Sequence, residues 1–348
     1  MKRILLIGAG HAHLAVLRNL AKKPLYGSRI TLVTPQEKQI YSGMLPGLVA
    51  GHYRLDDVRI DVARFAAGVH VEFVQGAVVT LDLAEHVAKL RDGAELPYDF
   101  VSLNVGAAVD APFDGSQHAV GVRPYETFLA RLSEERLARV AIAGAGATGM
   151  ELAMALRFRG AAVTLFSDRP AMSPQLATRA VAALRRAGVD FRPGMAVTAV
   201  EPGPVVIAGT SHQEFDLLVL ATGPRGIAWL RGCGLETDGR GFVLVDAALR
   251  SVSHPDVLAV GDCAKQAGAD EAKSGVASVR QARVLEENLR RIATRDEPRP
   301  YERRPRALQL ISCGAKYAIA ERGNWTAEGA WVWRWKDWID RRWVRSFQ

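Results

Sequence analysis

The strongest constraint on this chain is a design it uses twice: an apolar strand, a glycine turn, then an apolar-faced helix. The second copy, RVAIAGAGATGMELAMALRFRGAAVTLFSD, carries Gly144, Gly146 and Gly149 at the spacing of a dinucleotide-binding turn. The first glycine permits the tight turn, the second lets a pyrophosphate approach the backbone, and the third lets helix and strand pack closely. Free N–H groups and the dipole at the helix start favour the negative charge. Glu151 lies in the first helical turn, where it suits the dipole and reaches a bound nicotinamide. The next strand ends in Ser167-Asp168-Arg169. An acid there favours the free ribose hydroxyls of NAD, while the adjacent arginine keeps NADP open.

The first copy, RILLIGAGHAHLAVLRNL, is degraded. Gly8 and Gly10 stand where the fingerprint needs them, but His13 holds the third glycine position, so the helix is expected to stand off the strand. The following strand, RITLVT, ends on Thr34 instead of an acid, with Glu37 slightly beyond. His11 is expected beside the pyrophosphate and His13 in the packing. Their i,i+2 spacing on a helix points them apart, so they are not read as a metal pair, and no metal set is assigned.

Three further stretches extend the pattern. YDFVSLNVGA (98–107) and FDLLVLATGP (215–224) are each an acid, an apolar strand and a small-residue turn. HPDVLAVGDCA (254–264) is a strand ending in Gly261-Asp262, where an aspartate can bind a sugar hydroxyl chain. In this order the sequence resembles the two-dinucleotide-binding-domain flavoproteins of the pyridine nucleotide–disulfide oxidoreductase superfamily. The resemblance implies an α/β fold of two Rossmann-like domains, one inserted in the other, with a short C-terminal region. The expected division is 1–121 with 243–304 for FAD, 122–242 for NAD(P)H, and 305–348 for the C-terminal region.

It also implies the cofactor contacts. FAD is expected at Gly8, Gly10, His11, Thr34, Pro35, Val78, Gly106, Gly261, Asp262, Gly275 and Val276. NAD(P)H, with NAD favoured, is expected at Gly144, Gly146, Gly149, Asp168 and Gly223. The region after the first unit, QIYSGMLPGLVAGHY, lacks the close cysteine pair of disulfide reductases. It is similar instead to the flavin-facing loop of type II NADH dehydrogenases and sulfide:quinone reductases, which puts Gly43, Met44 and Pro46 near the isoalloxazine. A narrower resemblance, through GHAHL, YSGMLPGLVAGHY and WRWKDWIDRRW, is to the NADH-dehydrogenase-like flavoprotein associated with selenide, water dikinase.

The chemistry this implies is hydride transfer from nicotinamide to flavin, then electron release to an unidentified acceptor. Lys273 and Glu151 are the candidate catalytic pair, with Lys273 over the flavin and paired to Glu151. A helix starting near Gly275 would answer negative charge on the flavin. Quinone is the leading acceptor, although a two-glutamine quinone motif retains only Gln281, with Ala277 in the other place. Two alternatives stay open: a non-catalytic flavin-binding partner of a selenium-metabolism enzyme, and oxidation of a sulfur species through Cys263 or Cys313.

Composition narrows the setting. The 348 residues favour two domains, and no run of about 18 uncharged apolar residues exists to cross a membrane. Three scattered cysteines fit neither a disulfide framework nor a zinc site, which points to a reducing, cytoplasmic compartment. The net charge of +8 suits an anionic partner, but no basic patch within a nucleic-acid-binding fold is present. Self-association as a homodimer is left open.

The tail, WVWRWKDWIDRRWVRSFQ, holds five of the seven tryptophans. Helical spacing gathers Trp331, Trp335, Trp338 and Ile339 on one face, with Arg334, Asp337 and Arg341 opposite. This face is expected either to cover the flavin domain or to rest on the inner face of a membrane.

Overall fold

The computed structural model describes residues 1–111, 113–134, 137–203, 205–269, 273–303 and 307–348. The chain opens with β1 (Lys2–Ile7), whose residues 4–7 are buried as a strand covered on both faces requires. It turns at Gly8 into α1 (His11–Leu20) and continues through β2 (Ser28–Thr34), β3 (Glu72–Gln75) and β4 (Phe100–Leu103). A second unit follows: β5 (Val120–Gly121), β6 (Arg139–Ala143), α2 (Ala147–Phe158), β7 (Ala162–Ser167), α3 (Pro174–Ala187), β8 (Asp190–Pro193) and β9 (Leu217–Leu220). The chain then supplies β10 (Val257–Ala259) and α4 (Gly275–Thr294).

These strands form two parallel five-stranded sheets. The first has the order β10-β4-β1-β2-β3 and the second β5-β9-β6-β7-β8. Because β10 returns to pair with β4, the whole second sheet lies within an interruption of the first. β5, on the N-terminal side of the expected division at 121/122, pairs with β9 in the second sheet. The expected division at 304/305 lies outside the described residues.

The last part is more elaborate than a short tail. β11 (Gln309–Ser312), β12 (Ala318–Arg322) and β13 (Trp325–Gly329) form an antiparallel sheet, and α5 (Ala330–Arg345) follows. This region bridges both units. Ile311 and Ile319 join the core of the second unit, while Val332, Trp333, Val344 and Phe347 join the core of the first. Leu45 and Val49, from the loop expected to face the flavin, also pack into the second core.

The orientation of α5 turns the expected tryptophan face outward, and corrects Arg334, expected opposite it, to the same exposed side. Its buried stripe is Val332, Trp333, Lys336, Asp340 and Val344, whereas Trp331 and Trp338 are 49% and 56% exposed. The reason is that polar partners wait on the inner side. Lys336 finds the Gly43 carbonyl, Asp340 the Tyr41 hydroxyl, and Asp337 the Tyr53 hydroxyl. Charges with such partners can be buried, and the indoles then turn outward. Among the described residues no helix is long and apolar enough to cross a membrane.

Candidate functional site

The first glycine turn is built against Asn104, at the end of β4. Gly8 adopts φ +86°, and a Cβ there would stand 2.6 Å from the Asn104 carbonyl oxygen. A Cβ on Gly10 would stand 2.4 Å from Asn104 Oδ1. That oxygen accepts from the backbone N–H of Ala12 at 3.0 Å and of His13 at 3.1 Å, while Nδ2 donates to the Val260 carbonyl at 2.9 Å. One buried carboxamide therefore ties the first turn, β4 and the segment leading to Gly261. Nothing in the sequence singled it out beyond its place beside Gly106.

His13 explains how the turn tolerates the missing glycine. Its Nδ1–H donates to the Gly8 carbonyl at 2.6 Å and its Nε2 accepts from the Ser102 hydroxyl at 2.8 Å. Burial pushes its pKa down to about 4, so the ring is neutral at physiological pH and uses both nitrogens. A hydrogen-bonded ring takes the place of close contact.

Around this turn the structure gathers most of the residues expected to hold FAD. Gly261 has φ +70°, donates its N–H to Gln281 Oε1 at 2.7 Å, and would direct a Cβ at Asn104 Nδ2. Gln281, expected as a quinone contact, is thus committed in part to holding the Gly261-Asp262 turn. Asp262 pairs with Arg123 at 3.0 Å, and Arg123 was not anticipated. His11 lies within electrostatic reach of Asp262, Arg123 and Asp340, and burial lowers its pKa. A Cβ on Gly275, at the start of α4, would meet His11 Nε2 at 3.0 Å. Gly76, after β3, donates to the Thr34 carbonyl at 3.0 Å, and Gln75 reaches the Pro35 carbonyl, so Thr34, Pro35 and the strand beginning at Val78 adjoin. Val276 is exposed, and Gly106 has φ +76° with open space at its Cβ position.

The second turn is tighter. Gly144 has φ +106°, with a built Cβ 2.3 Å from the Ala221 carbonyl oxygen, and Gly149 would place one 1.9 Å from the Gly144 carbonyl oxygen. Gly146 meets nothing within 4 Å, and it starts α2 without a side-chain cap. Open space above an uncapped helix start fits a pyrophosphate. Asp168 is exposed at the end of β7, and Gly223 has φ +113° beside the Ala221-Thr222 wall of the turn.

The loop of Gly43, Met44 and Pro46 touches both cores, with Met44 buried in the first, Leu45 in the second, and Pro46 buried beside them. Here the expected Lys273–Glu151 pair is corrected. Lys273 donates to the Ala264 carbonyl and stands 4.2 Å above the centre of the Phe242 ring. Glu151 instead accepts from the Ser312 N–H at 2.8 Å, and the cation whose charge acts on it is Lys336 of the terminal helix, itself paired with Asp340. The C-terminal region packs on α2 and so delivers a lysine that is remote in sequence. Burial dominates at Glu151 and lifts its pKa to about 7, against the pull of Lys336.

A family model described as pyridine nucleotide-disulphide oxidoreductase matches residues 2–284, and the chain belongs to that family. The nitric oxide reductase FlRd-NAD(+) reductase of Salmonella gallinarum is 30% identical over 277 residues, spanning 75% of this chain and 72% of its own length. In fold, the chain is similar to the sulfide:quinone oxidoreductase of Aquifex aeolicus, with a TM-score of 0.83 at 16% identity over 100% of this chain and 91% of that one. A ferredoxin reductase of Rhodopseudomonas palustris gives 0.77 at 19% identity, over 92% of this chain and 82% of its own.

The cofactors that go with this membership are FAD and NAD(P)H. The residues present fit them. Two turns have glycines where a side chain would collide with backbone or with Asn104, and the second opens onto free space. The first also brings a carboxylate and a guanidinium together. An aspartate suits sugar hydroxyls and an arginine suits a pyrophosphate.

Proposed function

We propose that this chain is an FAD-dependent NAD(P)H dehydrogenase that passes electrons to a quinone or a similar two-electron acceptor. The observation that carries the reading is that two glycine turns of the same design head the helices of two parallel sheets, with Leu45 and Val49 of the loop after Gly43 packed into the core that includes α2. FAD, when bound, supplies the acceptance of hydride and the release of electrons. The chain's own residues bind and orient. Gly8, Gly10, His11, Arg123 and Asp262 would hold FAD, and Gly144, Gly146, Gly149 and Asp168 would hold the nicotinamide dinucleotide. Glu151 stands at their junction as a carboxyl able to hold a proton near neutral pH.

A sulfur-oxidising role finds less support. Cys263 is buried, its thiol faces the Leu103 and Val260 carbonyls, and burial pushes its pKa up to about 11. Cys313 is pushed up to about 12 by burial and by Glu151. Neither presents a thiolate at neutral pH. The purified protein should show flavin bands that bleach on anaerobic NADH addition, and should oxidise NADH when a soluble quinone is supplied. A protein that takes up no flavin, or a flavin that neither NADH nor NADPH bleaches, would sink the reading.

The outward face of α5 fits a membrane-bound acceptor, since Trp331 and Trp338 are exposed beside Arg334 and Arg342. The full chain should co-sediment with anionic liposomes, and Trp331→Ser/Trp338→Ser should stay soluble and flavin-loaded while losing that binding. Equal sedimentation of the two would refute membrane contact through this face.

A further inference from the structure

The C-terminal region fastens the loop of residues 41–53 at both of its ends. At the start, the Tyr41 hydroxyl donates to Asp340 Oδ1 at 3.2 Å, and the Lys336 ammonium donates to the Gly43 carbonyl. At the end, the Tyr53 hydroxyl donates to Asp337 Oδ1 at 2.8 Å, and His52 Nε2–H donates to the Gly314 carbonyl at 2.7 Å. The two tyrosine rings lie against the loop's own glycines. A Cβ on Gly43 would stand 2.8 Å from the Tyr41 ring, and one on Gly47 would stand 2.3 Å from the Tyr53 ring. Each ring packs on the loop backbone while its hydroxyl is held from α5.

The helix side of these bonds is itself braced. Lys336 pairs with Asp340 at 2.7 Å, and Arg341 pairs with Asp337 at 2.9 Å. The Arg341 guanidinium also lies 5.1 Å from the centre of the Tyr53 ring. Lys336 and Asp340 are 8% and 5% exposed. Taking such a pair out of water costs about as much as the attraction returns, so packing stability alone does not explain it. A hydrogen-bonded pair can instead fix one register between helix and loop. The same contacts reach the first turn. The His11 ring, at the start of α1, is centred 5.4 Å from Tyr41 and stacks at 6.1 Å on Trp343 of α5.

We propose, on the dehydrogenase reading above, that Lys336, Asp337 and Asp340 are positioning residues, a latch on α5 that sets the 41–53 loop and the His11 ring against FAD. Their effect passes through Tyr41, Gly43 and Tyr53, which they bond. Residues 41–53 are held by residues about 290 positions later, so the loop takes this form only once the C-terminal region has docked. A flavin site completed by that loop waits on the same docking.

Tyr41→Phe and Tyr53→Phe separate the latch from the packing, because each ring stays on its glycine and only a hydroxyl is lost. Asp340 keeps Lys336 and Asp337 keeps Arg341, so both variants should fold. Hydrogen exchange read by mass spectrometry on the purified full chain, with and without FAD, follows the loop directly. In the flavin-free double variant, exchange across residues 41–53 should rise about tenfold or more, while β1 and β6 stay within about twofold of wild type. With FAD bound, flavin release should quicken by a similar factor and the visible circular dichroism of the flavin should change. Lys336→Met should loosen the Gly43 end of the loop, and Lys336→Arg, which can still donate to the Gly43 carbonyl, should restore most of its protection. If Lys336→Met does not fold, the tyrosine double variant decides. Loop exchange and flavin dichroism that match wild type in the double variant would overturn the proposal. So would a rise spread equally over both cores, which marks a general loss of stability. A wild-type chain that takes up no flavin defeats the dehydrogenase reading, whereas the flavin-free exchange decides the latch separately.

Discussion

Gly149→Ala is expected to abolish useful NAD(P)H binding while leaving the flavin in place. The added Cβ would stand 1.9 Å from the Gly144 carbonyl oxygen and 3.3 Å from the Ala221 Cβ. Both lie on the rigid wall of the turn, so α2 must move. The residues behind it, Met150, Leu152 and Ala153, are fully buried, and the helix cannot move without loosening that core. Overpacking of this kind costs about 1–3 kcal/mol, and lifting the helix start removes the N–H groups from the pyrophosphate as well. A combined loss of about 3 kcal/mol in binding corresponds to roughly a hundredfold weaker affinity. Gly146→Ala is the informative comparison. Its Cβ meets nothing within 4 Å and its φ is −76°, so the fold should tolerate it, and any loss should come from the ligand's approach. Titration of anaerobic flavin bleaching by NADH, beside thermal unfolding, checks both. An unchanged NADH titration in Gly149→Ala would show that the second turn does not hold the nucleotide.

This contrast explains why the glycine turns were legible in the sequence and much of their surroundings was not. A residue with φ +106° and a carbonyl 2.3 Å from its missing Cβ leaves glycine as the only choice, so the backbone constraint appears directly in the letters. Strands buried on both faces likewise appear as short apolar runs. A side chain that joins distant segments leaves no such trace. Asn104 bonds residues 92 and 156 positions away, and Arg123 and Asp262 meet only because β10 returns to the first sheet. The Lys273–Glu151 pairing is not found for the same reason: Lys273 goes to the Ala264 carbonyl and the Phe242 ring, and Glu151 to the Ser312 N–H on a strand with no sequence link to α2. In α5 the helical period grouped Trp331 with Trp338, but Arg334, expected opposite them, is exposed on the same side. The inward side stayed open because hydropathy ranks tryptophan above lysine, whereas the Gly43 carbonyl and the Tyr41 and Tyr53 hydroxyls reward charge.

Asn104→Ala is expected to cost the most of any single change in the first unit. The substitution strips the acceptor from the N–H groups of Ala12 and His13 and the donor from the Val260 carbonyl, all at a position only 2% exposed. Each buried group left without a partner costs about 1–3 kcal/mol; the Ala12 and His13 N–H groups lose theirs while the Val260 carbonyl keeps the Cys263 thiol, so the loss amounts to roughly 2–4 kcal/mol. The loss reaches the cofactor because the same carboxamide fixes the start of α1 and the approach to Gly261-Asp262. Flavin content should therefore fall together with the unfolding temperature. Asn104→Asp separates the two effects. Its oxygen still caps α1, and a negative charge there suits the helix start. The second oxygen, however, faces the Val260 carbonyl instead of donating to it, and the charge opposes a pyrophosphate at the same helix. This variant should keep more of the thermal stability than Asn104→Ala and yet bind FAD no better. Calorimetry with flavin absorbance per chain measures both, and an Asn104→Ala protein with unchanged melting and full flavin would remove Asn104 from the cofactor site.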